Sequence, residues 1–128
     1  MYLRDPIKIG VSVANAIKES KEHHSGELEA SHMLYKFPDL VNKKTLPKID
    51  PKLEEKYSRF MKTDLFGGDD SIDIAWSSEE QRTFTENTGS MSDATKATVE
   101  KGIKYHEGLV NNIVEFINWL KKEGERTI

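Results

Sequence analysis

The sequence contains no cysteine, which excludes disulfides and thiolate metal sites. It has no apolar run approaching the length of a transmembrane helix. Its first residues, Met1-Tyr2-Leu3-Arg4-Asp5-Pro6, carry no apolar signal-peptide region. The expectation is a cytoplasmic protein with no membrane partner. A basic stripe is also missing: Lys and Arg alternate with Glu and Asp, and the net charge is −3. Nucleic acid is therefore not an expected partner. Trp76 and Trp119 lie too far apart to suggest a stacking platform for bases. There is no internal repeat, no low-complexity tract, and no Gly-x-Ser-x-Gly, His-Glu-x-x-His or Walker motif.

What is present fits a single domain over residues 1–128. Hydrophobic residues make up 36% and charged residues 32%, a polar globular balance. Ile7-Lys8-Ile9-Gly10-Val11-Ser12-Val13 alternates as a strand does, and so does Ile72-Asp73-Ile74-Ala75-Trp76. Ser25 reads as a helix N-cap, with Glu27 and Glu29 in the first turn beside the positive end of the helix dipole and Pro38 as the stop. Residues 38–50 read as a loop. Asp50-Pro51 reads as the start of a short helix carrying Leu53, Tyr57, Phe60 and Met61 on one face. Residues 77–92, rich in Ser, Thr, Asn and Glu, read as a loop.

The last segment is the clearest. Val99, Ile103, His106, Val110, Ile113, Ile117 and Leu120 recur every three or four residues, which predicts a helix from Ser92 or Asp93 to about Glu123. Gly102 and Gly108 inside it each cost up to about 1 kcal/mol relative to Ala. Either close packing offsets that cost or the helix bends there. Two strands alone cannot make a covered sheet, so their partners are expected from elsewhere.

Titratable side chains concentrate in His23-His24-Ser25-Gly26-Glu27-Leu28-Glu29. An imidazole at a helix start can move protons near neutral pH, and nearby carboxylates can orient it. The same residues also suit a solvated helix start with two surface histidines. Glu29-Ala30-Ser31-His32 places Glu29 and His32 on one helical face, a spacing used in carboxylate-bridged metal sites, but only one copy is present. His106, on the apolar face of the last helix, reads as a core or interface histidine. Thr88-Gly89-Ser90 lacks the fuller glycine pattern of a phosphate loop.

Two blocks carry a family resemblance. His24-Ser25-Gly26-Glu27-Leu28-Glu29-Ala30-Ser31 resembles the His-Ala-Gly-x-x-Glu-Thr-Ser motif of creatininase-family amidohydrolases, and Met33-Leu34 and Pro38-Asp39-Leu40-Val41 continue the match. Gly89-Ser90-Met91-Ser92-Asp93-Ala94-Thr95-Lys96-Ala97-Thr98-Val99-Glu100-Lys101-Gly102 resembles the family's Gly-Val-x-Gly-Asp-Pro-x-x-Ala-Thr-x-Glu-Lys-Gly. The resemblance implies an α/β fold, here a partial three-layer α/β/α sandwich that is helix-rich with few strands and a long C-terminal helix. It also implies a centre of two divalent metals, zinc or manganese, that activates water to hydrolyse a cyclic amide or formamide C–N bond. By that resemblance His24 is the proton shuttle and Glu29 supports the site.

The sequence departs from the family in several places. The family's metal ligands lie mainly in its N-terminal half, in a Glu-x-His pair with a following Asp and in an Asn-Gly-His motif, and this chain has no counterpart to that set. Asn15 stands where the family has an aromatic lining the substrate site, and Ser92 and Ala94 replace Gly and Pro. The chain therefore reads as the C-terminal portion of such a hydrolase, without metal ligands of its own. A small-molecule amide would be its substrate, and a companion N-terminal half or further copies of itself would be its partners; family members often form hexamers. The other reading is a non-catalytic binding or assembly module on the same scaffold.

Overall fold

The computed structural model describes residues 10–50, 64, 66 and 77–126. Four α-helices are found among them: α1 (Val11–Ile17), α2 (Glu27–Lys36), α3 (Ser78–Phe84) and α4 (Val99–Arg126). Short 3-10 turns at Pro38–Leu40, Lys43–Thr45 and Ala94–Lys96 lie between them. The helix-rich character and the long C-terminal helix agree with the sequence reading. Among the described residues the only extended pairing is an isolated antiparallel bridge between Lys48 and Asp93.

The first strand expectation fails where it can be checked. Ile7, Lys8 and Ile9 lie outside the described residues, but Val11, Ser12 and Val13 begin α1. Alternation over so short a stretch is compatible with either period. The helical one wins because it puts Val11, Ala14 and Ile17 on one side against α4. Ala14 is fully buried with Leu28, Phe66 and Tyr105, and Val11, Val13, Ile17 and Leu109 pack around them. Asn15 points elsewhere and donates to the Phe66 carbonyl at 3.1 Å. The Ile72–Trp76 strand and the helix after Asp50 fall outside the described residues.

Residues 77–92 are not all loop. Ser77 accepts from the Glu80 amide, and the Glu80 carboxylate accepts from the Ser77 amide, so a capping box opens α3. Their polar composition suggested a loop, but the Ser-x-x-Glu spacing carries the opposite signal.

The helix α4 starts later than expected. Asp93 caps the 3-10 turn at Ala94–Lys96, and the α-helix begins at Val99. At about 1.5 Å per residue it is about 42 Å long. Close packing accounts for its inner glycines. A Cβ on Gly102 would land on the Ser31 carbonyl oxygen of α2, and one on Gly108 would meet the Val13 side chain of α1. Glycine at these two points lets both shorter helices lie directly on α4.

Candidate functional site

The His23–Gly26 turn joins α1 to α2. The Gly26 amide donates to the His23 carbonyl at 3.2 Å, and Ser25 adopts a left-handed backbone with φ of 53°. The N-cap of α2 is consequently Gly26 rather than the expected Ser25. Glu29, three residues into the helix, reaches back and accepts from the Ser25 amide at 2.6 Å. The His24 amide donates to His23 Nδ1 at 2.9 Å, and the His24 carbonyl accepts from the Met91 amide at 2.9 Å. The backbone of His24 is thus tied on both sides while its side chain stays exposed, with its ring edge-on to His23 at 4.8 Å. His24 and Glu29 therefore meet at one turn through the Ser25 amide, and no hydrogen bond joins imidazole to carboxylate among the described residues.

The buried carboxylates here are two that the sequence reading did not make site residues. Glu22 is 1% exposed and Glu27 is fully buried. Glu22 accepts from the Leu28 amide at 2.9 Å and the Glu29 amide at 3.4 Å, satisfying two free donors of the α2 start. Its own amide donates to Asp64, which also pairs with Lys18 and accepts from the Phe66 amide. Burial pushes the Glu22 carboxyl up to about 7, against the pull of the Leu28 and Glu29 amides and with help from the charges of Glu29 and Glu27. Gly26 lies so close that a Cβ there would sit 2.6 Å from a Glu22 carboxylate oxygen.

Glu27 has the opposite environment. It accepts from the Glu19 and Ser20 amides, from the Ser20 hydroxyl at 2.7 Å and from Lys101 at 2.5 Å. Burial raises its pKa, but Lys101, the Ser20 hydroxyl and the amides outweigh it and hold the carboxyl below its usual range. Lys101 is shifted upward: burial works against its charge and is overcome by Glu19 and Glu27. Ser31, fully buried, donates to the Glu27 carbonyl and accepts from the amide of Thr98, the residue just before α4, at 3.1 Å.

These contacts unite the two motif blocks. His24 binds Met91, Glu27 binds Lys101, Ser31 binds Thr98, and the Ser90 hydroxyl lies 3.2 Å from the Ser25 carbonyl oxygen. The Ser92 hydroxyl is buried with no hydrogen-bond partner among the described residues.

The donors present do not fit a metal pair. Glu22-His23-His24 has Glu-x-His spacing, but Glu22 is turned into the protein to cap α2 while His24 is exposed. Glu27 is taken by amides and Lys101, and Glu29 by Ser25. Among the described residues no group of three His, Asp or Glu side chains could hold a metal ion. Nor does the Glu29-x-x-His32 spacing make a site, because His32 turns to α4 and its Nε2 lies 3.0 Å from Nδ1 of His106. The half-buried His106 thus has a partner across the α2–α4 seam. Alongside runs a groove of about 770 Å³, lined by Glu29 and His32 and by apolar residues including Met33, Phe37, Leu40 and Leu109. No helix among the described residues is long and apolar enough to cross a membrane.

Comparison with curated proteins and with solved structures finds no match. The family model for creatininase, described as creatinine amidohydrolase, matches residues 8–117, a span that includes both motif blocks, and the chain belongs to the creatininase family.

Proposed function

We propose that this chain is the portion of a creatininase-type amidohydrolase that presents the proton-shuttling imidazole, His24, to a non-peptide C–N bond in a cyclic amide or formamide. Family membership supports amidohydrolase chemistry. The observation that carries the residue assignment is the tethered turn: His24 is held by its backbone through Met91 and His23 while its ring stays open to solvent. Glu29 acts as a positioning residue, because its carboxylate fixes the Ser25 amide next to the histidine. The zinc or manganese pair would be held by ligands supplied from outside this sequence, in a companion N-terminal half. The same partner would supply the strands of a three-layer sandwich. Alone, the chain is inactive in this reading.

The test is hydrolysis of creatinine and of an N-formyl amine by the purified chain, with and without a companion chain carrying Glu-x-His and Asn-Gly-His. Activity should need the companion, and His24→Ala should lower kcat by about 10²- to 10⁴-fold, the usual contribution of a general acid–base group. Turnover by the isolated chain would overturn the division of labour. An unchanged rate in His24→Ala would overturn the shuttle.

A second reading, an assembly module without chemistry, is favoured by a different observation. Glu22, Glu27 and Glu29 are all engaged in holding the fold, while α4 exposes Val110, Val114, Ile117 and Trp119. In that case His24→Ala leaves the biological role intact.

A further inference from the structure

We propose that His32 and His106 form a two-imidazole clamp for a borderline divalent cation such as copper, nickel or zinc, bridging α2 and α4 beside the groove. The site is separate from the family's hydrolytic metal pair and does not depend on the hydrolase reading.

The geometry points to it first. His32 Nε2 and His106 Nδ1 face each other at 3.0 Å, with the rings 5.1 Å apart and tilted by 47°. Without a metal, one nitrogen carries a proton and the other accepts it. Two imidazole nitrogens each about 2.0–2.1 Å from a tetrahedral ion stand about 3.3 Å apart. The nitrogens need to separate by a few tenths of an ångström, and the rings to turn until both lone pairs converge on one ion instead of facing each other. One tautomeric shift, moving the shared proton to the far nitrogen of the same ring, frees both lone pairs with no net proton lost.

The surroundings support it next. A metal ligand must be a neutral imidazole. Burial, the neighbouring His106 and Lys36 together hold the His32 pKa below its ordinary value, the direction that suits a ligand. The rings are oriented from both helices: His32 stands edge-on to Tyr105 at 5.8 Å, and His106 is tilted against Tyr35 at 5.7 Å. Lys36 is drawn over the Tyr35 ring, 4.4 Å from its centre. No third protein ligand joins them among the described residues, so water completes the coordination. His32 lines the groove, which gives the ion and its waters a way in. Imidazole donors favour copper over nickel and zinc.

The experiment uses the full chain without an affinity tag. Calorimetric titration at pH 7.5 with nickel or zinc chloride should show one saturable equivalent and a metal-dependent rise in Tm. His32→Gln and His106→Gln should each weaken binding at least tenfold. His23→Gln with His24→Gln should leave it intact, since that adjacent pair is the competing site. Binding lost in the His23/His24 variant but kept in His32→Gln would overturn the proposal, as would no saturable binding. If the His32 and His106 variants fail to fold, copper electron paramagnetic resonance on the folded His23/His24 variant decides the matter. Hyperfine coupling to two imidazole nitrogens supports the clamp, and a spectrum with fewer overturns it.

Discussion

At the scale of single residues, two buried glutamates five positions apart respond to pH in opposite directions. Glu22 has a folded-state pKa raised by burial from 4.5 to about 7. Its contribution to stability is complete below about 4.5 and is lost as pH rises through 7, because the folded state must then bury a charge. Glu27 is held low by Lys101 and its amides, so its contribution is complete above its ordinary value and is lost as pH falls through its depressed one. Urea unfolding at pH 4.5 to 8 should show stability falling on the order of 3 kcal/mol toward the alkaline end, at 1.36 kcal/mol per pKa unit. Glu22→Gln should flatten that slope. A wild-type curve already flat between pH 5 and 8 would show that Glu22 is not buried as a neutral acid. Neither residue is a site candidate from the sequence, for a physical reason. Glu27, in the first turn of α2, reads as a solvent-facing partner of the dipole, and Glu22 lies in the link before that helix; their distant partners, Asp64 for the Glu22 amide and Lys101 for the Glu27 carboxylate, are 42 and 74 residues away. His24 and Glu29, in contrast, are proposed from a motif that is local in the sequence.

At the scale of elements, the legible parts were those with a repeated local signal. The period of α4 survives to its end, and Pro38 marks the end of α2, which stops at Lys36. The misread parts were short. Three residues of apparent alternation became α1 once Ala14 had α4 to pack on, and α3 was hidden because composition was weighed above its capping box. Glycines in α4 give the sharpest test of why the helices sit where they do. Gly102→Ala forces a methyl into the Ser31 backbone, which cannot swing aside as a side chain would. It should destabilise by about 3 kcal/mol, the upper part of the overpacking range. Gly124→Ala, in the same helix with open space around it, should instead stabilise by up to about 1 kcal/mol through helix propensity. Denaturant midpoints of the two variants should therefore move in opposite directions. Equal shifts would mean that α2 and α4 do not touch at Ser31.

At the scale of the whole molecule, the two motif blocks fold into one unit, and the rest of α4 extends past it. Contacts between α2 and α4 run through Ser31, Gly102, His32 and His106, in the first third of a helix of 28 residues. Beyond Gly108 the helix leaves Val110, Val114 and Ile117 exposed at a spacing of four and then three, which is one continuous face. Trp119 lies nearby, stacked on Phe116 at 6.1 Å. A stripe of that length is more than scattered surface apolarity, and the two functional readings offer an occupant for it, a companion half or another copy. Val114→Glu with Ile117→Glu places two charges in the stripe without touching the α2–α4 seam. Sedimentation velocity should then show the variant at monomer mass where the wild type is larger. Thermal unfolding measured at low protein concentration should stay unchanged, because the folded unit does not use that face. A wild-type chain that sediments as a monomer at every concentration would overturn self-assembly through that face.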